Sequence, residues 1–261
     1  MISLLVPTRG RPQNMERFAV SVDETSGNPE SVEIVFGIDE DDVSSLDKVT
    51  DMSKSLRISV KARLLSPCPD GHVNLSYYWN QCYDAATHDI VGFFGDDTLF
   101  KTFGWDLEIQ KLLVKDQTLM IGVNGIHHPK TSWGLPDPGW IHFTHKKVHN
   151  LFGYYCYEPF RRYCMDSMLE FIFRRSGRYL YRKDLVMEHL QASTFTDKID
   201  ETHLRMSKWI DQDFALFQTQ PIKNEIIRCS DLLNDMVLKF KKRKGTDILQ
   251  VCSSKPKGSK K

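Results

Sequence analysis

Asp89-Ile90-Val91-Gly92-Phe93-Phe94-Gly95-Asp96-Asp97-Thr98 is the stretch on which the reading of this chain turns. Its apolar run is broken once by glycine and ends at two adjacent carboxylates. A short, wholly apolar run between turn residues has the character of a strand buried in a parallel sheet. In open α/β sheets, ligands lie just beyond the carboxyl ends of such strands. Two neighbouring acids there repel each other and lose hydration unless positive charge lies between them. A divalent cation with a phosphate-bearing ligand supplies that charge, because hard cations take oxygen ligands. The competing reading is a strand that runs into an acidic Asp-Asp-Thr turn.

Upstream, residues 2–6 read as a first strand that stops at Pro7-Thr8-Arg9-Gly10-Arg11-Pro12. Proline and glycine after a buried strand make a sharp loop, and a helix follows over about 14–22. Arg9 and Arg11 could fork onto phosphate oxygens from this loop, although arginines beside a turn are often only solvated. Residues 32–38 form a second strand that runs into Asp39-Glu40-Asp41-Asp42. Asp39, at the strand end, is placed to accept from a base or a ribose; the other three acids are expected to face solvent. Residues 56–64 alternate as a third strand. After a loop with Pro67, Pro69 and Gly71, residues 73–86 have helical spacing, with Leu75, Trp79, Cys82 and Tyr83 on one face. Asn74 and Asn80 are the polar residues of note there.

Downstream, a helix is expected at 105–113 and a strand at 119–123. Residues 125–140 form a loop rich in His, Pro, Gly and Trp, read as an acceptor-binding lid or a packed surface loop. Trp133 or Trp140 would stack on a sugar ring or base, and His127 and His128 would be structural. Residues 142–155 read as strand, short helix and glycine turn. Asp166 leads into a helix at 167–175 closed by Gly177. Residues 179–189 read as strand, turn and strand. Taken alone, Asp166 is an N-cap and His189 a structural histidine. Two amphipathic helices, 206–217 and 222–240, are separated by Pro221 and pack on the domain or on a second subunit.

At 261 residues, with 41% hydrophobic and 26% charged residues, the chain can bury a sizeable α/β core with additions. No stretch approaches a membrane span, and the N-terminus lacks the basic region of a signal peptide. Six scattered cysteines without a CxxC pair argue against a zinc ribbon and for reduced thiols in the cytoplasm. Residues 239–261 carry nine Lys/Arg and one acid, a net +8; the whole chain is +1, so the remainder is about −7. Such a basic tail attracts phosphate polyanions or anionic surfaces, unless it only solubilises.

The order strand-Pro-Thr, strand-Asp, Asn-helix-Ala, apolar strand-Asp-Asp resembles the GT-A glycosyltransferases of the family 2 type. An acid at a helix start, a glycine about eleven residues on and a histidine after a strand extend the resemblance over roughly residues 1–192. It implies a Rossmann-like α/β/α domain with a mixed, mostly parallel sheet at 1–195, a helical extension at 196–243 and a basic flexible tail at 244–261. It further implies that Asp97 and His189 hold Mn²⁺ or Mg²⁺, and that Asp166 is the general base of an inverting transfer. Pro7, Thr8 and Asp39 would contact the nucleotide base, and Asp96 the ribose or a metal-bound water. The chain departs from the family twice. Gly95 stands where the strict acidic triplet has its first acid. Asn74 stands where an arginine often precedes the helix asparagine; at that position it is expected to bind the nucleotide sugar, with Arg9 or Arg11 compensating in the grip on the diphosphate or uracil. The implied reaction moves a sugar from a nucleotide-diphosphate sugar, UDP-sugar favoured, to a hydroxyl of a glycan, lipid or protein. A hydroxylated base of DNA, gripped by the basic tail and the Trp loop, is the alternative acceptor. A nucleotidyltransferase or a non-catalytic nucleotide-binding module are the readings of a different class, and a homo-oligomer is compatible with all of them.

Overall fold

The computed structural model describes residues 1–69, 72–126, 136, 138–190 and 209–244, without the side chains of 240–244. Continuous apolar runs dictate its centre. Strands β1 (Ile2–Thr8), β2 (Val32–Asp39), β3 (Ser59–Leu65) and β4 (Ile90–Phe93) lie parallel, with Ile2 beside both Val32 and Ile90. Beyond them come β5 (Thr98–Phe100), β6 (Met120–Asn124), β7 (His142–His145) and β8 (Tyr179–His189). The sheet order is β3-β2-β1-β4-β7-β6-β8-β5. Only β7 and β5 run against the rest. The sheet is thus mixed and mostly parallel, as expected.

Alternation along β1 divides the core into two layers. Ile2, Leu4 and Val6 point to one face, where they meet α1 (Pro12–Thr25), α2 (Val43–Ser55) and α4 (Trp105–Lys115). Phe18 of α1 sits there among Phe36, Phe94 and Phe100, with ring centroids 5.7–6.1 Å apart and edge-to-face, as aromatic quadrupoles prefer. Leu5, Val35 and Val91 point to the other face. They meet α3 (Leu75–Ala85), α5 (Lys146–Phe152) and α6 (Met165–Arg175), then α7 (Ile210–Phe217) and α8 (Gln220–Lys244). Phe217, Ile222, Cys229 and Leu233 are buried in that layer, so the C-terminal helices pack on the domain itself.

Several elements differ from the sequence reading, each for a local reason. Helix α1 starts at Pro12, because a proline at the first helical position forfeits no hydrogen bond. Helix α2 was hidden behind the acidic run. Asp42 is its N-cap, accepting from the amides of Ser45 (3.3 Å) and Gly10 (2.6 Å), so this acid is buried rather than solvent-facing. Burial pushes the Asp42 pKa up, but these hydrogen bonds outweigh it and hold the pKa below the ordinary value. Strand β8 is continuous where a turn was expected. Its charged centre bulges, so that Val123 pairs Arg182 but Asn124 pairs Val186. Helix α6 begins at Met165, and its N-cap is Cys164 in the left-handed region (φ +67°). Asp166 therefore lies in the first turn, not at the cap.

No helix among the described residues is long and apolar enough to cross a membrane. Cys82, Cys156, Cys164 and Cys229 are buried thiols outside any disulfide, and Cys252 lies outside the described residues with the basic tail.

Candidate active site

The carboxyl ends of β1, β2 and β4 bring the predicted donor residues together. Asp96 and Asp97 follow β4 after Phe94 and Gly95, both nearly buried, and each has its own partner. Asp96 accepts from the Thr8 hydroxyl at the end of β1 and from Arg11 Nη1 at 3.0 Å. The Arg11–Asp96 pair is well covered, with side chains 14% and 4% exposed. Asp97 Oδ1 lies 3.1 Å from His189 Nε2, the last residue of β8. The two acids that sequence reasoning required to share a positive charge are thus drawn to opposite sides, one to a guanidinium and one to an imidazole. Burial raises the pKa of Asp96 and Asp97 adds to the rise, with Arg11 opposing only in part. At Asp97 burial also pushes upward, but the His189 ring and Arg11 outweigh it, and the pKa is lowered.

The meeting of Asp97 with His189 is a product of tertiary pairing. The short β5 follows Asp97 immediately and pairs antiparallel with β8, placing Thr98 opposite His189. Gly95 leaves the space above them clear. A Cβ there would lie 2.5 Å from Asp97 Oδ1 and 4.0 Å from His189 Nε2. A carboxylate oxygen and an imidazole nitrogen 3.1 Å apart match neighbouring corners of an octahedron with metal–ligand bonds of about 2.1 Å. Asp97 and His189 are therefore the residues that would hold a divalent cation here. No third His, Cys, Asp or Glu joins a metal-ligating group among the described residues.

Arg9 reaches the other way. Its Nη1 donates to Asp39 and to Asp41, both at 2.6 Å, and its Nη2 to Asp41 at 2.7 Å. Pro7, next to Thr8, pairs with Gly37 in the sheet. Asn74 is committed elsewhere: it caps α3 by accepting from the Tyr77 amide (3.1 Å) and donates to the Glu158 carbonyl (2.9 Å). It thereby ties the loop before α6 to α3. Asn80 repeats the device on Cys156, accepting from its amide at 2.8 Å and donating to its carbonyl at 2.9 Å.

Asp166 approaches from α6. Its carboxylate accepts from the Ser167 amide at 2.8 Å, and burial raises its pKa, opposed by that amide and by the His189 ring. Trp140 stands edge-on to His189, ring centroids 6.4 Å apart, and both line a pocket with Val123, Gly125, Pro138 and Ile141. Trp133 lies outside the described residues, as do His127 and His128. Glu170, one turn beyond Asp166, accepts from the Gly139 amide (3.0 Å) and from Arg174 (2.7 Å), which tethers the Trp140 segment to α6. Sequence reading missed this tether. The i, i+4 spacing of Asp166 and Glu170 on an amphipathic helix was the available signal.

No family model matches the chain, and no curated protein matches it by sequence. Solved structures do match by shape. The mannosyltransferase PcManGT of Pyrobaculum calidifontis, solved with GDP-Man and Mn²⁺, superposes with a TM-score of 0.56 at 11% identity, over 94% of this chain and 88% of that one. The fold is GT-A. TarS of S. aureus superposes at 0.56 and 11% identity over 87% of this chain, which spans about half (47%) of that protein. Its 1–349 segment with UDP-GlcNAc gives 0.56 at 10% identity, over 95% and 93% of the two chains. The carboxyl ends that gather Thr8, Asp39, Asp96 and Asp97 are therefore the open edge of a GT-A sheet.

Proposed function

We propose that this chain is a glycosyltransferase, moving a sugar from a nucleotide-diphosphate donor, a UDP-sugar for preference, to an acceptor hydroxyl. The observation that carries the reading is the Asp97–His189 pair, assembled by β5 and β8 at the open edge of a GT-A sheet. One nitrogen in the donor set suits Mn²⁺ somewhat better than Mg²⁺, whose preferred shell is all oxygen. When bound, the cation would stabilise the negative charge that builds on the departing diphosphate.

The chain's own residues supply the rest. Thr8, Asp39 and the backbone at Pro7 flank the place for the base and ribose. Arg9 and Arg11, now engaged with Asp39, Asp41 and Asp96, can turn a guanidinium to phosphate oxygens. Asp166 takes the proton of the acceptor hydroxyl; the freed oxygen forms a bond to the anomeric carbon as the bond to the diphosphate oxygen breaks. A single displacement of this kind inverts the anomeric configuration. Trp140 offers a ring face beside His189 for the acceptor or the transferred sugar. The buried thiols support a reducing, cytoplasmic setting. The acceptor is proposed to be a glycan or another hydroxyl compound. DNA, if it is the acceptor, would be gripped through the basic tail at 244–261.

The test is a thermal-shift panel of UDP- and GDP-sugars with and without Mn²⁺, on wild type and Asp97→Ala. Metal-dependent stabilisation by one donor, abolished in the variant, is expected, because a ligand at a hundred times its Kd stabilises by about 2.7 kcal/mol. A flat panel at millimolar donor overturns the reading. Release of pyrophosphate from a nucleoside triphosphate and a sugar phosphate would instead mark a nucleotidyltransferase.

A further inference from the structure

The segment that delivers Asp166 to the site carries an unexplained conformation. Cys164, two residues earlier, has φ +67° and ψ −6°. It and Ile126 are the non-glycine residues with positive φ among those described. A side chain in this region is uncommon and persists where its surroundings enforce it. The enforcing group is visible. Asp213, in the middle of α7 and buried, aims its carboxylate at three consecutive backbone amides: Arg161 (3.1 Å), Arg162 (2.8 Å) and Tyr163 (2.8 Å). Three successive N–H groups converging on one anion form a concave nest that fixes the backbone dihedrals there. The next residue is Cys164, and the one after starts α6. At its other side the same loop is pinned by α3, where the Leu75 amide donates to the Arg161 carbonyl at 2.7 Å.

We propose that Asp213 is a positioning residue for the transfer reaction: by clamping 161–163 it holds Cys164 left-handed and so sets the direction from which Asp166 meets the acceptor. The inference rests on the glycosyltransferase reading for its functional half, while the clamp itself stands on geometry alone. It makes α7, some fifty residues away in sequence, part of the active-site frame rather than an appendage. Small displacements of a reacting group lower turnover far more than they weaken donor binding, because orientation is what the transition state requires.

The test uses the full chain with Asp213→Asn, which keeps the shape but turns two amide hydrogens toward the loop, with and without Cys164→Gly. Three quantities are read: amide exchange at 161–167, affinity for UDP with Mn²⁺, and release of UDP from the donor that stabilises wild type. Asp213→Asn is expected to speed exchange at 161–167 at least tenfold and lower UDP release at least tenfold, with UDP affinity within twofold. Cys164→Gly in that background is expected to recover most of both losses, since glycine adopts the left-handed turn unaided. A purely structural role would instead lower UDP affinity and turnover together, without rescue by glycine, and would overturn the proposal. Unchanged exchange at 161–167 overturns it as well. Exchange that responds as expected in a protein that releases no nucleoside diphosphate from any UDP- or GDP-sugar even as wild type upholds the clamp and removes the transferase reading. Should Asp213→Asn fail to fold, the double variant is expected to fold, and its failure counts against the proposal.

Discussion

The two halves of the site treat their carboxylates differently. On the side of β1 to β4 four acids face a cationic or ionisable side chain of the same chain: Asp39 and Asp41 face Arg9, Asp96 faces Arg11, and Asp97 faces His189; Asp42, the cap of α2, is held by amides instead. On the side of α6 and α7 every acid named is held by backbone amides: Asp166 by Ser167, Glu170 by Gly139 beside its ion pair with Arg174, and Asp213 by three amides in a row. A side-chain ion pair can open and re-form around a phosphate or a metal. An amide-held carboxylate has donors fixed in the backbone, which cannot follow it if it turns away. One half is therefore built to exchange partners, and the other to keep a direction.

Removing Asp166, the proposed proton acceptor of the rigid half, is the strongest test of that contrast. Asp166→Asn is expected to lower kcat by about 10²–10⁴-fold, the usual span for general-base loss, with donor affinity unchanged. A matching loss of donor affinity would mean that Asp166 belongs with the exchangeable half. Steady-state rates beside a donor titration decide it.

Arg11→Met probes the exchangeable half. It strands Asp96 buried beside Asp97, and breaking a buried pair by removing one partner costs about 3–5 kcal/mol. Urea unfolding of the variant should show a midpoint lowered accordingly. Stability equal to wild type would mean that Arg11 is dispensable to Asp96, and the pairing scheme fails.

Glu33 sharpens the comparison from the far end of β2, where an ion pair is purely structural. Burial pushes its carboxyl up, but Lys61 (2.8 Å), the Ser3 hydroxyl and the Thr87 amide (2.6 Å) outweigh this and hold its pKa at about 2 against the ordinary 4.5. A folded pKa below the unfolded one contributes stability above pH 4.5 that is lost as the pH falls toward 2. The difference amounts to about 3 kcal/mol. Urea midpoints measured between pH 5 and pH 2.5 should fall in wild type, and more gently in Glu33→Gln. Parallel curves would remove Glu33 from the acid response.

Much of the exchangeable half was legible because its residues sit next to strand ends that declare themselves by composition. The run before Asp96 and the Pro-Thr that closes β1 could be placed without knowing any long-range contact. The need for positive charge beside Asp96 and Asp97 followed from electrostatics alone. Helix α2 was missed because the acids before it read as solvent-facing, although Leu46, Val49 and Met52 recur every three residues behind the Asp42 cap. Strand β5 has three residues and exists only by pairing with β8, so no local pattern could mark it. The same dependence hid the continuity of β8, whose Arg-Lys-Asp centre looks like a turn until β6 and β5 flank it. Asp213 carries no local signal at all, since its meaning lies in amides some fifty positions upstream.

The bulge in β8 reaches further than a local kink. Between Arg182 and Val186 this strand uses four steps where β6 uses one, so three spare residues are stored there, with Leu185 tucked into the core and Lys183 and Asp184 left in solvent. Everything after the bulge is counted from it, including which side chain stands opposite Thr98. The neighbour of His189 is Glu188, and side chains alternate faces along a strand, so a slip of one residue would put a carboxylate where the imidazole now stands. If Asp97 and His189 hold the proposed cation, the length of a solvent-facing kink works as a vernier on that pair: shortening it by one residue would change a mixed nitrogen-and-oxygen pair into an all-oxygen one, and with it the ion the site would choose.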